Sequence, residues 1–118
     1  ARGRFAVKAI QGPVSGMPLR VVVDNESSDR FTVIDVFAHD RPGLLYEITR
    51  ALYVLKLNVV LAKIATHFDQ VLDVFFVTDE TGQKIHDGER LKNIRQQLMS
   101  ALTDFEKTAS DDEAAGQG

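Results

Sequence analysis

A helical pattern flanked by two strand-like runs limits this chain's fold more than any other feature of its sequence. Phe31 to Ala38 (FTVIDVFA) and Asn58 to His67 (NVVLAKIATH) are rich in β-branched and aromatic residues, the composition of strands. Between them Leu45, Ile48, Leu52 and Leu55 recur at i, i+3, i+7 and i+10, which marks one helical face. A helical crossover makes the two strands parallel. Gln70 to Thr78 (QVLDVFFVT) follows after the tight turn Phe68-Asp69, and as the hairpin mate of 58–67 it slots between the other two.

A short run from Leu19 leads through the polar cluster DNESSDR into 31–38, and reads as the first arm of an antiparallel hairpin. Asp87 can cap a second helix, whose buried face is Leu91, Ile94, Leu98, Ala101, Leu102 and Phe105. The order β-β-α-β-β-α predicts an α+β fold. It is the ferredoxin-like βαββαβ sandwich permuted to ββαββα. The expected four-stranded antiparallel sheet has the order 19–24, 31–38, 70–78, 58–67, with both helices on one face. Residues 1–18, which hold QGPVSGMP, read as a linker or the tail of a preceding domain. The folded part is 19–105, and 106–118 reads as a disordered acidic tail.

Strands 31–38 and 70–78 are apolar on both faces, which a sheet with one wet face is not. Phe37 and Phe75 are expected on the face away from the helices, where a second copy or a partner domain would cover them.

Composition removes several chemistries. The 118 residues contain no cysteine, so disulfides, thiolate metal sites and cysteine nucleophiles are excluded. No apolar run reaches the length of a membrane span and no signal peptide opens the chain, so the expected setting is cytoplasmic, with no membrane partner. Residues 21–103 carry nine bases and twelve acids, which argues against a nucleic-acid partner. His39, His67 and His86 lack the i, i+4 spacing of a helical zinc motif, so no metal site and no cofactor is expected in this domain. There is no G-x-S-x-G, and no Gly-rich phosphate cradle. Asp35 and Asp73 fall on neighbouring strands. Facing each other they would repel, though solvated or interface positions are the simpler reading.

The informative segment is His39-Asp40-Arg41-Pro42-Gly43-Leu44-Leu45, where a strand runs into a helix N-terminus. Backbone N–H groups of Gly43, Leu44 and Leu45 are donors for an anion. Asp40 offers an acceptor for a cation beside them, and Arg41 lies in the same turn. Together these groups suit an α-amino acid zwitterion. Asn58, at the start of the next strand, is expected to project toward the same end of the sheet. The structural alternative is Asp40 as a helix cap, Pro42 in the first helical turn and Gly43 as a packing position.

The run D-R-P-G-L-L after a strand, then a helix, then Asn58-Val59-Val60, resembles the signature of ACT domains. DNESSDRFTVIDVFAHDRPGLLYEITRAL, LAKIATHFDQVLDVFFVTD and GQKI are more specific. They resemble the C-terminal ACT domain of bacterial bifunctional PII uridylyltransferase/uridylyl-removing enzymes. That resemblance implies a regulatory fragment without catalysis. The parent enzyme would be a nucleotidyltransferase and hydrolase, with magnesium as its metal, acting on the PII protein in nitrogen regulation. The implied ligand is an amino acid, glutamine, held by Asp40, Asn58 and the backbone from Gly43 to Leu45. The implied structural partner is a preceding ACT domain or a second copy.

Three rival classes share this outline. An acylphosphatase-type enzyme could use Arg41 and Asn58, but its phosphate loop is Gly-rich where this chain has DRPG. An RNA-recognition module could stack bases on Phe37 and Phe75, but needs a basic surround. A ligand-free dimerisation module, or an amino-acid-sensing ACT domain of another metabolic enzyme, is the third.

Overall fold

β2 (Thr32–His39) and β4 (Gln70–Thr78) form the centre of the sheet, as their apolar sequences require. The computed structural model describes residues 19–116, and the side chains of 19–108. β1 (Arg20–Asp24) pairs antiparallel with β2, placing Val23 opposite Ile34. β3 (Asn58–His67) pairs antiparallel with β4, with a register shift between Val59 and Leu61. The sheet order is β1-β2-β4-β3, the permuted order that the sequence predicts. The expectation of a linker or domain tail at 1–18 lies outside the described residues.

α1 (Leu44–Val54) and α2 (Gly88–Gly116) pack on one face of the sheet. Ile34, Val36, Ala38, Val71, Phe75 and Val77 meet Leu44, Ile48 and Leu52 of α1 and Ile94, Leu98 and Leu102 of α2. The helix stripe therefore starts at Leu44, and Leu45 is 47% exposed rather than buried. Spacings of four keep 44, 48 and 52 in one row, whereas 45 lies a third of a turn away.

Asp87 caps α2 as expected: its Oδ1 accepts from Glu89 N–H at 3.0 Å. Arg95 of α2 donates to the Val21 carbonyl at 3.1 Å, tying the helix to edge strand β1. The expected end near Phe105 differs from the structure, where the α2 backbone runs on to Gly116. Among the residues whose side chains are described, the last fully buried position of the α2 stripe is Leu102, with Phe105 packed part-buried against the core one turn on.

α1 ends in a left-handed residue, Lys56, with φ of 63°. Lys56 N–H donates to Tyr53 O at 2.9 Å and Leu57 N–H to Leu52 O at 3.0 Å. That pair of bonds closes the helix and turns the chain into β3.

The opposite face of the sheet carries a second apolar cluster, Val33, Phe37, Leu72 and Val74, with Phe76 beside it. Phe75 is not part of it. It is fully buried on the helix side, and Phe76 takes the place expected for it. The same alternation separates the two aspartates. Asp35 pairs with Val74 and Asp73 with Val36, so the carboxyls lie on opposite faces and do not face each other.

β3 is exposed along its whole length. Val59, Val60, Leu61 and Ile64 are all among the exposed large apolar residues. No helix among the described residues is long and apolar enough to cross a membrane.

Candidate functional site

β2 ends at His39, and Asp40 N–H donates to Asp69 O at 2.8 Å. That bond pins the end of β2 to the β3–β4 hairpin turn, so the following loop lies beside the hairpin. Leu44 N–H donates to Arg41 O at 3.1 Å and closes a turn around Pro42 and Gly43. Gly43 is the N-cap of α1, with φ of 85°, and its carbonyl accepts from Glu47 N–H at 3.0 Å.

No side chain caps α1. Asp40 is therefore not a cap, and Pro42 precedes the helix rather than opening it. Gly43 is there for its left-handed backbone. A Cβ built on it would meet only Phe105, at 3.8 Å, ordinary contact distance. The cost of Gly43→Ala is thus conformational, about 1–2 kcal/mol, to be measured by urea unfolding.

Leu44 N–H is engaged by Arg41, and the donors left at the helix start are those of Gly43, Leu45 and Tyr46, for which no backbone acceptor is found among the described residues. They carry the positive end of the α1 dipole. A pocket of about 390 Å³ opens in front of them. Asp40, Arg41, Gly43, Leu44, Leu45 and Tyr46 line one wall, and Ile64, Thr66, Val71 and Asp73 the other.

Asp73 is the residue that sequence reasoning missed. It shares its face of β4 with Val71 and Phe75, is 2% exposed, and its Oδ1 has no hydrogen-bond partner. Its pKa is pushed up to about 6, first by burial and then by the charge of Asp40. The sequence signal was a lone carboxylate in an apolar strand, but its face depends on a register that the alternation alone leaves open.

Five of the six expected site residues come together here. Asn58 does not. It pairs with Thr78, whereas His39, at the site end, pairs with Gln70. The α1 crossover returns the chain to the end where β2 began, so Asn58 starts β3 at the far end of the sheet. From Asn58 to Thr66 is eight residues of strand, roughly 26 Å. The Asn58 amide instead donates to the Asp79 carbonyl at 3.0 Å and holds the 79–83 loop.

The histidines do not converge on the pocket either. His39 and His67 lie in register with Gln70, and the ring of His67 meets Phe68 edge-on at 4.5 Å.

The family described as ACR9-like, ACT-like domain matches residues 20–107. The chain is also similar to bifunctional uridylyltransferase/uridylyl-removing enzymes. It is 45% identical to that of Azospirillum brasilense, over 86% of this chain and 11% of the enzyme. It is 47% identical to that of Gluconobacter oxydans, over 74% of this chain and 9% of the enzyme, and 38% identical to that of Ruegeria pomeroyi, over 80% and 10%. The chain thus spans about a tenth of the length of these curated relatives. No solved structure matches it. With the matched region running from β1 into α2 and the ββαββα sheet order in place, the chain belongs to the ACT-like domain family.

Proposed function

We propose that the chain is the C-terminal regulatory domain of a bifunctional uridylyltransferase/uridylyl-removing enzyme. It binds glutamine and so sets the balance between uridylylation and deuridylylation of the PII protein in nitrogen regulation. The domain performs no catalysis itself. The nucleotidyltransferase and hydrolase chemistry, with its magnesium, belongs to other domains of a cytoplasmic parent enzyme.

The observation that supports this reading most is the pocket beside α1. Donors for a carboxylate, at Leu45 and Tyr46 N–H, line the same pocket as an acceptor for an ammonium at Asp40. The ligand's carboxylate lies at the helix start, where the dipole and Arg41 favour an anion. Its ammonium faces Asp40. Asn58, placed at the other end of β3, has no part in this pocket.

The test is a thermal-shift screen of the twenty amino acids on the 118-residue chain. At a hundred times Kd a ligand bound only by the folded state stabilises it by about 2.7 kcal/mol, a rise in Tm of roughly 10 °C or more. Glutamine is expected to give that rise. Asp40→Asn removes the charge without removing a cap, and is expected to weaken binding roughly tenfold to a hundredfold. If no amino acid shifts Tm, the domain is an assembly module instead.

An assembly role is compatible with the sensor. β3 is an edge strand in the sheet, exposed on both faces and apolar at Val59, Val60, Leu61 and Ile64. Such an edge needs cover. A preceding ACT domain or a second copy supplies it.

A further inference from the structure

The pocket beside α1 holds a carboxyl that folding does not explain. Asp73 lies on central strand β4, with Val36 opposite it on β2 and Ile64 opposite it on β3. Its neighbours on the same face, Val71 and Phe75, belong to the main core. An apolar side chain here would fill the core without a desolvation cost. Instead the position carries a carboxyl that is 2% exposed, with Oδ1 unpartnered, on the wall of the pocket.

Among the described residues, the titratable groups that line the pocket with it are Asp40 and Arg41 from the β2–α1 loop and Tyr46 from α1, while β2, β3 and β4 present the non-titrating Val36, Ile64, Thr66, Val71 and Phe75. From α2, Glu106 accepts from His39 N–H, next to Asp40, at 3.4 Å. The charge that acts on Asp73 is that of Asp40, and it has the same sign. Two carboxyls on one pocket repel until a cation lies between them. The helix start, with its N–H donors, forms the complementary end of the same pocket.

We propose that Asp73 is a ligand-binding residue, which with Asp40 forms a two-carboxylate cradle for the primary ammonium of an α-amino acid. The proposal rests on the amino-acid reading above and adds to it a residue on the sheet wall of the pocket. It also gives the site a pH response. Free Asp73 holds its proton up to about pH 6, and the ammonium takes the proton's place. Binding therefore releases a proton in mildly acidic solution and weakens as pH falls.

The test is calorimetric titration of L-glutamine into the full 118-residue chain and into Asp73→Asn, at pH 5.0 and 7.5. Two buffers of different ionisation enthalpy are used so that proton release is counted. The wild type is expected to bind roughly tenfold more weakly at pH 5.0 than at pH 7.5, and to release a proton at pH 5.0. Asp73→Asn is expected to bind roughly tenfold to a hundredfold more weakly than the wild type at pH 7.5, with no proton release. Glutaramate, which lacks the ammonium, should bind both proteins equally weakly. If Asp73→Asn binds as tightly as the wild type, or if wild-type binding releases no proton and is flat with pH, Asp73 is not a ligand-binding residue, although the amino-acid reading stands. If the wild type binds none of the twenty amino acids, both readings fall. Should Asp73→Asn not fold, the pH response and proton count of the wild type decide alone.

Discussion

Phe75→Ala is expected to remove roughly 3–5 kcal/mol of stability, a large part of the roughly 5–15 kcal/mol that holds a domain of this kind together. Phe75 is fully buried on the helix side of central strand β4. Its ring belongs to the cluster that contains Ile48 and Leu52 of α1 and Ile94 and Leu98 of α2. Truncation leaves a cavity walled by a sheet and two helices, and elements so braced collapse little. Phe76→Ala, on the other face and only partly buried, should cost clearly less. Urea unfolding followed by far-UV circular dichroism compares them. Equal losses would mean that the faces of β4 are assigned wrongly.

Asp73→Asn should do the opposite and stabilise the ligand-free domain by on the order of 2–3 kcal/mol at pH 7.5. The folded-state pKa of Asp73 is raised from 3.8 to about 6. Below about pH 4 the carboxyl is protonated whether folded or unfolded, and costs nothing. Between about pH 4 and 6 the unfolded chain gives up the proton more readily, so stability falls as pH rises. Above about pH 6 the full penalty of a buried charge is present. The amide has no such charge. The gain from Asp73→Asn should therefore be near zero at pH 4 and reach its full value by pH 7.5, as measured by chemical denaturation across that range. A gain that does not vary with pH would show that the carboxyl is not ionised at the cost of folding. A site that binds better and folds worse with the same residue is the usual trade at functional positions.

Much of the architecture was legible because it rests on pattern and connectivity. β3 and β4 match their expected ranges, since Phe68-Asp69 leaves no room for another hairpin turn between them. The permuted sheet order follows once a helix joins two strands and a hairpin mate must pass between them. The face of each β4 residue was not legible. VLDVFFV is apolar in both phases, so alternation cannot say whether Phe75 or Phe76 looks toward the helices. The same ambiguity hid Asp73, and only its register with Val36 and Ile64 assigns it to the pocket.

At the site, the turn from Asp40 to Leu45 was readable as a strand running into a helix start. Of the expected donors, Leu44 N–H is taken up by Arg41 O, a bond that no side-chain pattern encodes, and Tyr46 N–H joins those that remain. Asn58 was misplaced because a crossover helix reverses direction. The start of the next strand belongs to the end of the sheet where the first strand began, not where it finished.

The most direct test of an amino-acid site at the start of α1 is a backbone amide NMR titration of the 118-residue chain with L-glutamine. The expected result is saturable shifts at Gly43, Leu45 and Tyr46 on the helix side and at Asp73 on β4, with the Asn58 amide unmoved. Shifts confined to β3 near Asn58, or none anywhere at saturating glutamine, would contradict it.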